Sequence, residues 1–109
     1  MREMLEGLIR TFNAKVAADP GLRAELGALT KTVLIELKDG TKYHFTLKDQ
    51  KVGALLDGDV DHADITISTD AETLTALIRR ETGPFKAYAT GKIRLKGSLE
   101  DLARFRKFF

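Results

Sequence analysis

Two runs of alternating residues on either side of Asp39-Gly40 constrain this chain more than any other feature. Val33, Ile35 and Leu37 alternate with Thr32, Glu36 and Lys38. After the turn, Tyr43, Phe45 and Leu47 alternate with Lys42, His44, Thr46 and Lys48. A period of two sends successive side chains to opposite faces of an extended strand. The spacing therefore predicts a β-hairpin with one apolar and one wet face, broken only by Leu34 on the outer side. Asp39-Gly40 reads as a type I′ turn, in which both central residues take positive φ. A lone hairpin is at best marginally stable in water, so its apolar face needs a covering layer. A chain of 109 residues can build one such core and not two.

The remaining segments supply that layer. Met4, Leu5, Leu8, Ile9, Phe12 and Val16 recur at helical spacing, and Asp19-Pro20-Gly21 ends the run because proline cannot continue the hydrogen-bond ladder. A short helical turn through Leu22, Leu26 and Leu29 follows. Beyond the hairpin, Asp49-Gln50 turns the chain into a third strand over residues 51–56. Ile65 and Ile67 then mark a fourth strand over residues 63–69. Thr69-Asp70-Ala71-Glu72 has the spacing of a capping box with Thr69 as the cap. The helix it opens presents Leu74, Leu77 and Ile78 inward and ends near Glu81-Thr82-Gly83. Pro84 begins a second short helix carrying Phe85 and Tyr88, three apart and expected to face the space between helices and sheet. Residues 92–96 form a fifth strand between Gly91 and Gly97, with Ile93 and Leu95 inward. Ser98 caps a final helix bearing Leu99, Leu102, Phe105 and Phe109. The expectation is one α+β domain over residues 1–109: a five-stranded, mixed but largely antiparallel sheet with helices on one face.

Composition excludes several function classes. With no cysteine there is no disulfide framework, thiolate nucleophile or Cys-ligated zinc. The acidic stretch Asp57, Asp59, Asp61, His62 and Asp64 superficially looks like a calcium loop. It has His62 where the turn needs glycine and Ser68 where a bidentate glutamate is needed, so no metal is expected. Neither histidine, His44 nor His62, has an evident nucleophile beside it. No catalytic residue, enzymatic activity or cofactor is expected. Net charge is only +2, and Lys92, Arg94 and Lys96 on the outer side of the fifth strand lack the interleaved aromatics that base stacking requires. Nucleic acid is therefore not an expected partner. Those three cations read as a solvated edge strand, with an anionic membrane surface as the functional alternative. Acids at Glu3 and Glu6, where a signal peptide would be basic, make the expected location cytoplasmic.

Several stretches carry a resemblance. Ala63-Asp64-Ile65-Thr66-Ile67 before a capped helix, then Pro84-Phe85-Lys86-Ala87-Tyr88 and Gly91-Lys92-Ile93-Arg94-Leu95-Lys96-Gly97, resemble in order and spacing the second half of the sterol carrier protein type 2 family. The likeness runs over residues 32–106; before it the chain is similar only in being helical. The C-terminal Arg106-Lys107-Phe108-Phe109 is not a peroxisomal address. The resemblance implies an apolar tunnel between sheet and helices that takes a sterol, fatty acid, acyl-CoA or phospholipid. Its expected lining is Phe12, Leu74, Leu77, Ile78, Phe85, Tyr88, Ile93, Leu95, Leu102, Phe105 and Phe109, with the last helix as a lid. Read without the resemblance, the same residues are core. Phe105, Phe108 and Phe109 would then build a homodimer, and a third alternative is an accessory domain presenting greasy substrates to an enzyme.

Overall fold

The hairpin forms as the alternation predicts, but its turn differs. In the computed structural model, which describes residues 1–107 and side chains through Ala103, strand β1 (Lys31–Leu37) pairs antiparallel with β2 (Lys42–Lys48). Val33 lies opposite Phe45 and Ile35 opposite Tyr43, so the apolar sets share one face. Leu37 N donates to Thr41 O at 2.8 Å, and Gly40 N donates to Leu37 O at 2.9 Å. This closes a three-residue loop, Lys38-Asp39-Gly40, in which Gly40 alone takes a positive φ of 92°. The expected two-residue turn is displaced because the Asp39 carboxylate accepts the Thr41 amide at 2.9 Å, leaving the left-handed position to the glycine. That bond also holds the Asp39 carboxyl below its ordinary pKa. The type I′ signature appears one turn later, at Asp49 (φ 53°) and Gln50 (φ 63°), between β2 and β3 (Lys51–Val52).

The expected third strand is split. After β3 the chain leaves the ladder, buries Leu55, and rejoins β2 as β4 (Leu56–Asp57). Helix α1 (Arg2–Ala18) covers this edge with polar contacts. The Asn13 amide donates to Val52 O and accepts from Val52 N, both at 2.8 Å, copying what a neighbouring strand would offer. Arg2 reaches Leu55 O and the Asp57 carboxylate, both at 3.0 Å. Helix α2 (Pro20–Leu26) follows at once, with Asp19 Oδ1 accepting from Leu22 N.

On its other side β1 pairs in parallel with β5 (Ile65–Thr69), which pairs antiparallel with β6 (Ile93–Gly97). The order β3-β2-β1-β5-β6, with β4 also on β2, makes a mixed, largely antiparallel sheet. Helices α3 (Ala71–Ile78), α4 (Pro84–Ala89) and α5 (Leu99–Lys107) complete the chain. Leu5 of α1, Leu74 and Leu77 of α3 and Ala87 of α4 join Val33, Ile35, Tyr43, Ile65, Ile67 and Ile93 of the sheet in one core. The protein is α+β with its helices packed on one sheet face. On the opposite face Leu34 is nevertheless buried: β1 is central, and cross-strand neighbours His44 and Thr66 flank it on both sides.

Helix α3 is capped one residue later than the sequence pattern implies. Asp70 is the cap, accepting from Thr73 N at 2.6 Å and Thr73 Oγ1 at 3.0 Å. Thr69 is instead the last residue of β5, and its buried hydroxyl donates to Lys92 O at 2.8 Å. A carboxylate outcompetes a hydroxyl for the helical amide because the bond is charge-assisted. The Thr73 bonds hold the Asp70 carboxyl below its ordinary pKa. Its stabilising contribution is thus complete above about pH 4 and is lost as pH falls below that value. Urea unfolding at about pH 7 should show Asp70→Ala weaker by about 1 kcal/mol and Asp70→Asn close to wild type. As pH falls below about 4, wild type should drop toward Asp70→Ala, whereas Asp70→Asn, whose amide does not titrate, should keep its margin.

Candidate functional site: the seam between sheet and helices

The apolar space under the helices is where the chain gathers most of the predicted lining. Leu74, Leu77 and Ile93 are buried within the core. Ile78, Leu95 and Leu102 pack against it from its margin. The β5–β6 register, Ile67 opposite Leu95 and Thr69 opposite Ile93, puts both β6 residues on the helix-covered face. Phe12 is half-buried on α1.

Phe85 and Tyr88 do not face this seam. They are 58% and 59% exposed, whereas Ala87 between them is 1% exposed and joins the core. At about 100° per residue, the side of a helix that turns Ala87 inward carries residues two before and one after it outward. The small side chain lets α4 lie close to the start of β6, where Lys92 N donates to Ala87 O at 2.9 Å. The side chain of Phe105, and all of Phe109, lie outside the described residues.

Two further contacts close the seam, and neither has a local signal in the sequence. Asp101, a buried carboxylate at the start of α5, meets Lys31 Nζ at 2.9 Å, tying the last helix to the start of β1. Ser98 Oγ accepts from Asp101 N at 3.1 Å, the cap expected from Ser98-Leu99-Glu100-Asp101. The Thr69 hydroxyl on Lys92 O holds the opposite end of β6.

Two open depressions lie elsewhere. One, of about 390 Å³, runs along α3 and is lined by Ala71, Glu72, Thr75, Ala76, Arg79 and Glu81. The other, of about 250 Å³, lies where α1 meets residues 53–55. Neither is lined by any predicted tunnel residue. The acidic stretch is dispersed among separate partners: Asp57 on Arg2, Asp59 on Lys42 and on its neighbour Val60 N, Asp64 on Thr32 N. The Val60 bond, then Lys42, hold the Asp59 carboxyl below its ordinary pKa. Among the described residues no helix is long and apolar enough to cross a membrane.

Comparison with known proteins fits this architecture. No curated protein matches the chain by sequence. Among solved structures, sterol carrier protein 2 like 2 from Aedes aegypti is similar over 99% of this chain and 98% of its own, with a TM-score of 0.65 and 24% identity. The solution structure of palmitated SCP2L2 from Aedes aegypti is similar over 94% of this chain and 90% of its own, with a TM-score of 0.64 and 24% identity. The chain is also similar to part of a double mutant of the sec-alkyl sulfatase PisA1, with a TM-score of 0.67 and 19% identity over 80% of this chain, and it spans only 14% of that enzyme's length. These likenesses are of fold. The model of the SCP-2 sterol transfer family matches residues 9–109, nearly the whole sequence, and the chain belongs to that family.

Proposed function

We propose that the chain is a non-enzymatic lipid-binding domain that holds an acyl chain, of a fatty acid, acyl-CoA or phospholipid, or a sterol-like molecule in the seam between sheet and helices. The observation that carries this reading is that the seam's outer wall is built from two short helices. Helices α4 and α5 are short, and each takes β6 as its principal strand contact. Helix α4 is bounded by Gly83 and by Gly91, whose φ of 74° few other residues adopt. The seam is filled by Leu74, Leu77 and Ile93, so a ligand enters by displacing this wall and α5 serves as its lid. The palmitated state of the Aedes aegypti protein supports an acyl ligand.

The energetics allow it. Removing a sixteen-carbon chain from water gains on the order of 12 kcal/mol, at about 0.8 kcal/mol per methylene. Lost translational and chain freedom takes roughly half of that or more, which leaves micromolar binding within reach. An apolar wall distinguishes one methylene by only about 1–3 kcal/mol, so selectivity for chain length is expected to be low.

Native mass spectrometry with palmitate added to delipidated protein tests the reading. The expected result is a one-to-one adduct released on denaturation. A mass unchanged by palmitate, acyl-CoA, phospholipid and sterol would overturn it. A second reading is favoured by the likeness to a segment of a much larger sulfatase: the domain presents hydrophobic substrates to an enzyme. Under that reading the adduct also forms, but bound lipid is consumed only when a partner enzyme is present.

A further inference from the structure

We propose that the outer face of α4 docks on an anionic lipid surface, with Phe85 and Tyr88 entering the headgroup region and the cations around them meeting lipid phosphates and carboxylates. The inference rests on the lipid-binding reading for its purpose, but on separate residues for its geometry.

Three observations converge there. The first is charge segregation. Residues 79–97 hold six basic residues and one acid, so this segment carries +5 while the rest of the chain carries −3. The small overall charge of +2 conceals a polarised molecule. Arg79, Arg80, Lys86 and Lys92, which precede, lie on and follow α4, are all exposed. Arg94 and Lys96 add to the charge of the segment from β6, the sheet's edge strand, on the sheet face opposite the helices. The second observation is the pair of aromatics more than half exposed on the side of α4 away from Ala87. A short apolar face flanked along the chain by exposed cations is the arrangement that partitions into a negatively charged interface, where aromatic rings sit at headgroup level.

The third is backbone strain at Arg80. Helix α3 ends with Arg80 N donating to Leu77 O at 3.2 Å and Glu81 N donating to Ala76 O at 2.9 Å. This closing motif puts Arg80 at φ 59°, a position normally given to glycine. An arginine there is costlier than glycine for the fold, and what it supplies is an exposed cation four residues before α4 begins.

Vesicle co-sedimentation tests the proposal, comparing phosphatidylcholine–phosphatidylserine vesicles with pure phosphatidylcholine. The protein is expected to bind the mixed vesicles, to ignore the neutral ones, and to release in about 1 M salt, where the screening length falls to roughly 3 Å. Each cation at an anionic surface contributes roughly fivefold, so Lys86→Ala/Lys92→Ala should bind roughly thirtyfold more weakly. Phe85→Ala/Tyr88→Ala should lose binding while its melting temperature stays within about 4 °C of wild type. Arg80→Gly is the most telling variant: it should melt at a higher temperature and yet bind vesicles roughly fivefold more weakly.

Equal binding to both vesicle types, or binding to neither, would overturn the proposal. Palmitate uptake is measured on the same samples. Vesicle binding without uptake upholds docking and overturns the lipid-binding reading; uptake without vesicle binding does the reverse.

Discussion

Leu77→Ala is expected to lower stability by about 2–5 kcal/mol and, at the same time, to bind a fatty acid more tightly than wild type. The first half follows from burial: Leu77 is 8% exposed and sits in the core with Leu74, Ile67 and Ile93. Truncating it removes apolar contacts and leaves a void that the surrounding strands fill only in part. Urea unfolding of the delipidated protein reads this directly. The second half follows from the proposed position of the ligand. If an acyl chain lies where Leu77 and its neighbours now pack, the shorter side chain removes part of what the ligand must displace. Stability and affinity then move in opposite directions, which ordinary core truncation does not produce. Saturating palmitate should narrow the gap, because a ligand at about 100 times its Kd adds about 2.7 kcal/mol to the folded state. A variant that is destabilised without tighter binding would place the ligand elsewhere.

How far the sequence reached depended on whether a pattern was long enough to define a face. Seven alternating residues fix a strand's two sides, so the inward set of β1 and β2, and Ile65 and Ile67 of β5, were legible. Leu74 and Leu77 were legible for the same reason on α3. Helix α4, Pro84–Ala89, makes less than two turns, and its periodicity defines no face. Ranking by hydrophobicity turned its two aromatics inward, whereas close approach to β6 demanded the smallest side chain, Ala87. Turn type was misjudged at Asp39-Gly40 because one aspartate hydrogen bond selects between two loops compatible with the same dipeptide. The tertiary polar contacts had no local signal: Asn13 meets Val52 across 39 positions, and Lys31 meets Asp101 across 70. Such pairs are created by the topology and cannot be read before it is known.

Gly97→Ala should prove far more damaging than Gly91→Ala, although Gly91 has the more unusual backbone. At Gly91, φ is 74° and a Cβ would meet nothing within 4 Å. The substitution costs only the left-handed strain of a non-glycine residue, about 1–2 kcal/mol. Gly97 carries no such φ, but a Cβ there would stand 2.8 Å from the Asp64 carbonyl oxygen, closer than such contacts permit, with Ile65 Cγ1 at 3.5 Å and Leu102 Cδ2 at 3.6 Å. The oxygen has little freedom to retreat. Asp64 N donates to Thr32 O at 2.8 Å and its carboxylate accepts from Thr32 N at 2.8 Å, clamping the entry to β5 against β1. Relief therefore falls on the end of β6 and on α5, the element proposed to close the seam. Overpacking of this kind costs about 1–3 kcal/mol, and the loosened helix adds to it. The expected outcome is a melting temperature lower than that of Gly91→Ala, together with faster loss of palmitate from Gly97→Ala than from wild type. Equal stability of the two variants would mean that the end of β6 yields easily, and an unchanged palmitate off-rate would separate α5 from the gate.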